Sequence, residues 1–272
     1  MMLDFRTEYS RSVIQSLSTD LSVSLYLDKN DFEKSVNGIW RQVEDNILTQ
    51  NTFFYNYQYA LYTIDVFKQL AILQSLTEEE IPLENLKICV AILFCYHAGR
   101  RFKGSFPESI LAKPAFKRKF PDLDFIYDAE LMSQTTTRSS VIITKIQDNG
   151  FNINGNMTDE MIKSIDPFDI RHSRYEYLAI LIRSSLVLGV MAFPGLIDRL
   201  NKARKDHLLA FPEKSEMFSD ITSFKKYLYE NFWSVQYPSI LDGINVLKRD
   251  KTNMTINQLT HNLQRLKSVT EV

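Results

Sequence analysis

Nine uncharged residues in a row, Ile88 to Tyr96 within "LKICVAILFCYHAGRR", constrain the fold more than any other stretch of the chain. Leu86, Val90, Leu93 and Phe94 make one helical stripe, but the residues between them are apolar as well. A helix of this composition has no face for water and must be covered by other helices on several sides. The run then ends in polar groups. His97 continues the stripe, Arg100 and Arg101 follow it at three and four residues, and Gly99 suits the left-handed position that closes a helix. A core segment that delivers an imidazole and two guanidiniums to one place is the best functional lead in the sequence.

The remaining pattern is also helical. "DKNDFEKSVNGIWRQVEDNIL" places Val36, Ile39, Trp40, Val43 and Ile47 at threes and fours, with Asn30 or Asp31 as the expected cap. "YNYQYALYTIDVFKQLAILQSL" gives Leu61, Ile64, Phe67 and Leu70, and Pro82 marks the next break or first turn. A second strongly apolar helix is expected in "IRHSRYEYLAILIRSSLVLGVMAF", two more between Ser219 and Lys248, and a last one in "TINQLTHNLQRLKSV". Eight glycines and eight prolines in 272 residues are few for a chain rich in turns. The expected fold is therefore all-α, one large helical domain spanning 1–272. There is room for one small β-hairpin near residues 140–155, where "SVIITKIQDNGFNI" joins a β-branched run to Asn149-Gly150.

Composition excludes several classes of function. Thirty-two basic residues against thirty-three acidic ones leave a net charge of −1, so the chain as a whole has no electrostatic claim on nucleic acid. The longest apolar stretch, "SSLVLGVMAFPG", is interrupted by Gly189, Pro194 and Gly195, and no integral membrane segment is expected. The N-terminus lacks the apolar core of a signal peptide. Cys89 and Cys95 fall on different faces of one apolar helix and read as buried thiols in a reducing compartment. No metal site follows from the spacing of His97, His172, His207 and His261, and no cofactor is called for.

Three constellations could carry chemistry. At the end of the apolar helix, His97 could exchange a proton while Arg100 and Arg101 grip a phosphate through planar, bidentate hydrogen bonds. The plainer alternative is a buried histidine beside arginines that answer the negative end of a helix. In "DPFDIRHSRYEY", Asp169, Arg171 and His172 lead into the second apolar helix, either as site residues or as solvated charges around a cap. Tyr55, Tyr59 and Tyr62 share a helical face and could stack on a base, or form the rim of a core. The basic stretch Lys113, Lys117, Arg118 and Lys119 is a solvated face or a means of steering a phosphorylated substrate.

With these residues in view, "LKICVAILFCYHAGRR" resembles the central helix of helical phosphohydrolases, in particular the SidE-type phosphodiesterase domains of bacterial effectors. In that family an apolar helix ends in catalytic polar residues and an arginine; Tyr96, His97 and Arg100 stand in the matching places. "YNYQYALYTIDVF" sits where the family carries histidines four apart, with Tyr55 and Tyr59 in their stead, and His172 matches a later histidine. The likeness spans roughly residues 50–190. It implies a hydrolase acting on an ADP-ribosyl or phosphoribosyl adduct of a host protein, secreted by a bacterium into the host cell or otherwise cytoplasmic. His97, His172 and Asp169 would be catalytic; Arg100, Arg101, Arg171, Tyr55, Tyr59 and Tyr62 would bind an ADP-ribose-like ligand or an ADP-ribosylated protein. The replaced histidines leave a second reading open, a non-catalytic helical binding protein that keeps a degenerate phosphodiesterase-like pocket.

Overall fold

The computed structural model describes residues 2–48, 53–76, 81–99, 143–144, 161, 176–210, 216 and 218–267. The fold is all-α, with no strand among the described residues. In chain order the helices are α1 (Met2–Ser24), α2 (Lys29–Leu48), α3 (Tyr57–Ser75), α4 (Leu83–Gly99) and α5 (Glu176–Met191). A 3-10 turn, Ile197–Arg199, leads into α6 (Leu200–Ala210), followed by α7 (Ile221–Asn231), α8 (Tyr237–Lys248) and α9 (Met254–Lys267).

The expected centre is there. Every residue of α4 from Ile88 to Gly99 is buried, and α4 lies against α2 and α5. Trp40 of α2 meets Phe94 edge to face at 5.1 Å. The α2 stripe read from the sequence is the one that is buried, extended by Phe32. Cys89 and Cys95 are buried free thiols, and burial pushes both well above the usual thiol range.

Four local expectations are corrected. The cap of α2 is Asp28 rather than Asn30 or Asp31: the helix starts at Lys29, and the Asp28 carboxylate accepts from Asp31 N at 3.1 Å. Gly99 is the last helical residue of α4; of the described glycines, Gly195, at φ +78°, is the one with positive φ. Gly189 does not interrupt the apolar run but sits inside α5, where a Cβ would collide with the Thr63 hydroxyl of α3. Its smallness serves close helix packing. Pro194 and Gly195 do end the run, since α5 stops at Met191. At the suggested hairpin, Ile143 and Thr144 are helical rather than extended, and Ile143 is buried. The remainder of 140–155 lies outside the described residues.

Among the described residues, no helix is long and apolar enough to cross a membrane. α3 and α5 form the most extensive helix pair, flanked by α1 and α8. α8 approaches α5 closely at Gly243, where a Cβ would strike the Ser184 side chain. Between α7 and α8 the chain makes a π turn, Phe232–Gln236, ahead of Pro238, which has no N–H to offer the Ser234 carbonyl.

Candidate functional site

The histidine at the end of α4 is buried. His97 is 1% exposed, its ring edge to face with Tyr59 at 5.3 Å and with Tyr96 at 5.9 Å. Tyr59 in turn meets Tyr55 edge to face at 5.1 Å, and its hydroxyl donates to the Leu186 carbonyl of α5 at 3.4 Å. Tyr55 reaches His207 of α6, ring to ring at 5.7 Å and hydroxyl to Nε2 at 3.5 Å. The structure therefore does bring His97, Tyr55 and Tyr59 together, as a ladder of buried rings running from His97 through Tyr59 and Tyr55 to His207.

His207 Nδ1 lies 2.9 Å from the Ala203 carbonyl, which can only accept, so Nδ1 carries a proton and donates to it. Phe218, Phe224 and Tyr227 close around the ring at 5.7, 5.0 and 6.3 Å. Beside it, the fully buried Asp206 accepts from three consecutive backbone N–H groups, Phe53 at 3.0 Å, Phe54 at 2.7 Å and Tyr55 at 3.1 Å. Those are the residues that feed α3. Asn56 then caps the helix by accepting from Gln58 N at 3.0 Å.

Arg100, Arg101, Asp169, Arg171 and His172 lie outside the described residues. Tyr62 stands apart from the ladder, at an open groove. Its hydroxyl donates to the Ala192 carbonyl at 2.7 Å. Burial pushes its pKa up to about 12, reinforced by the nearby Asp65 carboxylate.

This groove, a cavity of about 580 Å³, lies between α1, α3 and the turn around Phe193 to Arg199. Along it, Arg6 sits over the Tyr57 ring at 5.0 Å, and Lys68 reaches Ser16 at 3.2 Å and Asp20 at 2.8 Å. Residue numbers rise together on both walls, so α1 and α3 run in the same direction. Rings line it: Phe5 and Tyr9 stack four residues apart on α1, 6.4 Å between centroids and 67% and 48% exposed, facing Tyr57, Tyr62 and Phe193. The charges are largely balanced. Lys68 bridges Asp20 and Asp65, the latter at 3.1 Å. Burial alone would lower its pKa, but the two carboxylates outweigh this and raise it. For Asp20, burial would raise the pKa, and the hydrogen bonds from Lys68 and Ser16 overcome it and lower it. Arg199 donates to Gln58 Oε1 at 2.8 Å and covers the Phe193 ring at 5.4 Å.

Sequence reasoning missed most of this site. Nothing local in "DFRTEYSRSV" says that α3 leaves Phe5 and Tyr9 uncovered. Asp206 and His207 lie in the unremarkable "RKDHLLA" and meet Tyr55 from about 150 residues away. Among the described residues, no three His, Cys, Asp or Glu side chains gather to hold a metal ion. Compared with protein-family models, curated proteins and solved structures, the chain finds no match.

Proposed function

We propose that this chain is a non-catalytic helical binding protein that engages its partner through the groove between α1 and α3. One contrast carries the reading. His97, Tyr55 and Tyr59 lie within the core, whereas a general base must come within hydrogen-bond reach of a substrate proton. The groove, by contrast, presents open aromatic rings in a cavity of about 580 Å³, within the span of about 300–1,000 Å³ usual for ligand sites. It is poorly suited to a diphosphate, because the Lys68 ammonium is already shared by two carboxylates.

The test is a selection from a displayed peptide library on the purified chain and on Val13→Arg, which puts a cation into the groove wall. Peptides enriched on the native chain and lost on Val13→Arg support the reading; equal enrichment on both contradicts it. The rival is the hydrolase acting on an ADP-ribosyl or phosphoribosyl adduct of a host protein, with His97 or His172 as its acid or base. Incubation with a protein carrying labelled ADP-ribose decides between them. No release is expected; release that His97→Ala or His172→Ala abolishes would overturn the binding reading and restore the hydrolase.

A further inference from the structure

Cations gather around the start of α3. Lys205 lies over the Phe53 ring at 5.6 Å, Arg6 over Tyr57 at 5.0 Å, and Arg199 donates to Gln58 at 2.8 Å. These contacts set all three around one short segment, residues 53–58. Lys202 joins them from α6: it is exposed, as is Lys205 one turn on, while Leu200, Ala203 and Asp206 are buried. From 197 to 210 the chain carries Arg199, Lys202, Arg204 and Lys205 against one exposed acid, Asp198. Asp206 is buried, and its carboxylate is held by backbone N–H groups. Glu8, two residues from Arg6, lies about 200° round α1 from it. Among the described residues, no carboxylate pairs with Arg6, Arg199, Lys202 or Lys205. The face is therefore locally positive in a chain whose net charge is −1.

Apolar side chains stand among these cations. Phe53, under Lys205, is 48% exposed, and Phe5, next to Arg6, is 67% exposed. An acidic peptide would answer the charges and leave those rings in water. Single-stranded nucleic acid stacks its bases on open ring faces, but Phe53 and Tyr57 each carry a cation on theirs. An anionic bilayer surface answers both features at once. Its phosphates and carboxylates meet the ammonium and guanidinium groups, and the headgroup boundary takes the apolar bodies beside them.

We infer that the face formed by Arg6, Arg199, Lys202, Lys205 and Phe53 rests on an anionic lipid surface. Co-sedimentation of the full chain with vesicles of phosphatidylcholine, alone or with about 30% phosphatidylserine, tests this. The chain should sediment with the phosphatidylserine vesicles only, and raised salt should release it. Lys202→Ala combined with Lys205→Ala should lower the partition coefficient about thirtyfold. Phe53→Ser should lower it severalfold while leaving the salt dependence in place. Free glycerophosphoserine at the concentration of the lipid should not displace the chain. Equal sedimentation with both vesicles, or a double variant that binds like the native chain, overturns the inference. Displacement by glycerophosphoserine also overturns it, since that would mean a pocket for one headgroup. A labelled oligouridylate that binds through the two lysines, with no vesicle binding, would give the face to nucleic acid and overturn it too. Lys202, Lys205 and Phe53 do not line the groove, so failure here leaves the Val13→Arg test of the binding reading untouched.

Discussion

Asp206 shows how one side chain can set the position of a whole helix. Its buried carboxylate gathers the N–H groups of Phe53, Phe54 and Tyr55, which fixes the approach to α3 and with it the tyrosines of the ladder. In Asp206→Asn an amide N–H₂ would face backbone donors and the charge assistance would go. A loss of about 2–4 kcal/mol is expected, read from the urea midpoint, with the near-ultraviolet tyrosine signal changing as well. An unchanged midpoint would show that the approach to α3 is held some other way. Tyr62→Phe removes the hydroxyl that bonds the Ala192 carbonyl just past α5 and also meets Thr255, and should cost about 1–2 kcal/mol. None of this was legible from local sequence, because an aspartate mid-helix in "RKDHLLA" looks like any solvated charge until the fold brings residue 53 to it.

At the scale of helices, the period of the apolar residues carried most of the information. The α2 stripe and the all-round burial of α4 follow directly from spacing, since a helix apolar on every face has nowhere else to go. Boundaries were harder. Asn30, Asp31 and Asp28 are all competent caps, and the choice depends on which residue first turns out of the helix. Gly189 was misread for a similar reason: a glycine in an apolar run looks like a break, whereas here it lets α3 and α5 come together. Gly189→Ala should therefore destabilise by about 1–3 kcal/mol, and a second change, Thr63→Ala, should recover part of that. Additive losses in the double variant would contradict the packing argument.

The α1–α3 pair has its own pH signature. The depressed pKa of Asp20 contributes stability above the ordinary carboxylate value of about 3.9, lost as pH falls through the lower folded value. The raised pKa of Lys68 acts on the other side: its contribution is whole below the ordinary lysine value and fades as pH climbs through the folded one. Because the Asp20 side chain is 45% exposed, the effect is modest. Asp20→Asn should be less stable than the native chain at neutral pH and converge with it at the acid end. A stability gap that stays constant across that range would mean that the ion pair is not its source.

Among the described residues, a buried interior stands apart from an open groove. α1, α2, α5 and α8 pack against α3, and the rings of the ladder from His97 to His207 are buried. Of the alternatives that the sequence left open for His97, Tyr55 and Tyr59, burial could not be chosen from spacing alone: a helix that ends in a histidine reads the same whether that end faces a cavity or another wall of side chains. The most direct test is the relative rate at which diethylpyrocarbonate modifies His97 and His261 in the folded chain, followed by peptide mass spectrometry. His261 is exposed on α9 and serves as the internal reference. The expected result is rapid modification of His261 with His97 protected until the chain is unfolded; modification of both at similar rates would contradict the buried interior and return His97 to the list of groups that a substrate can reach.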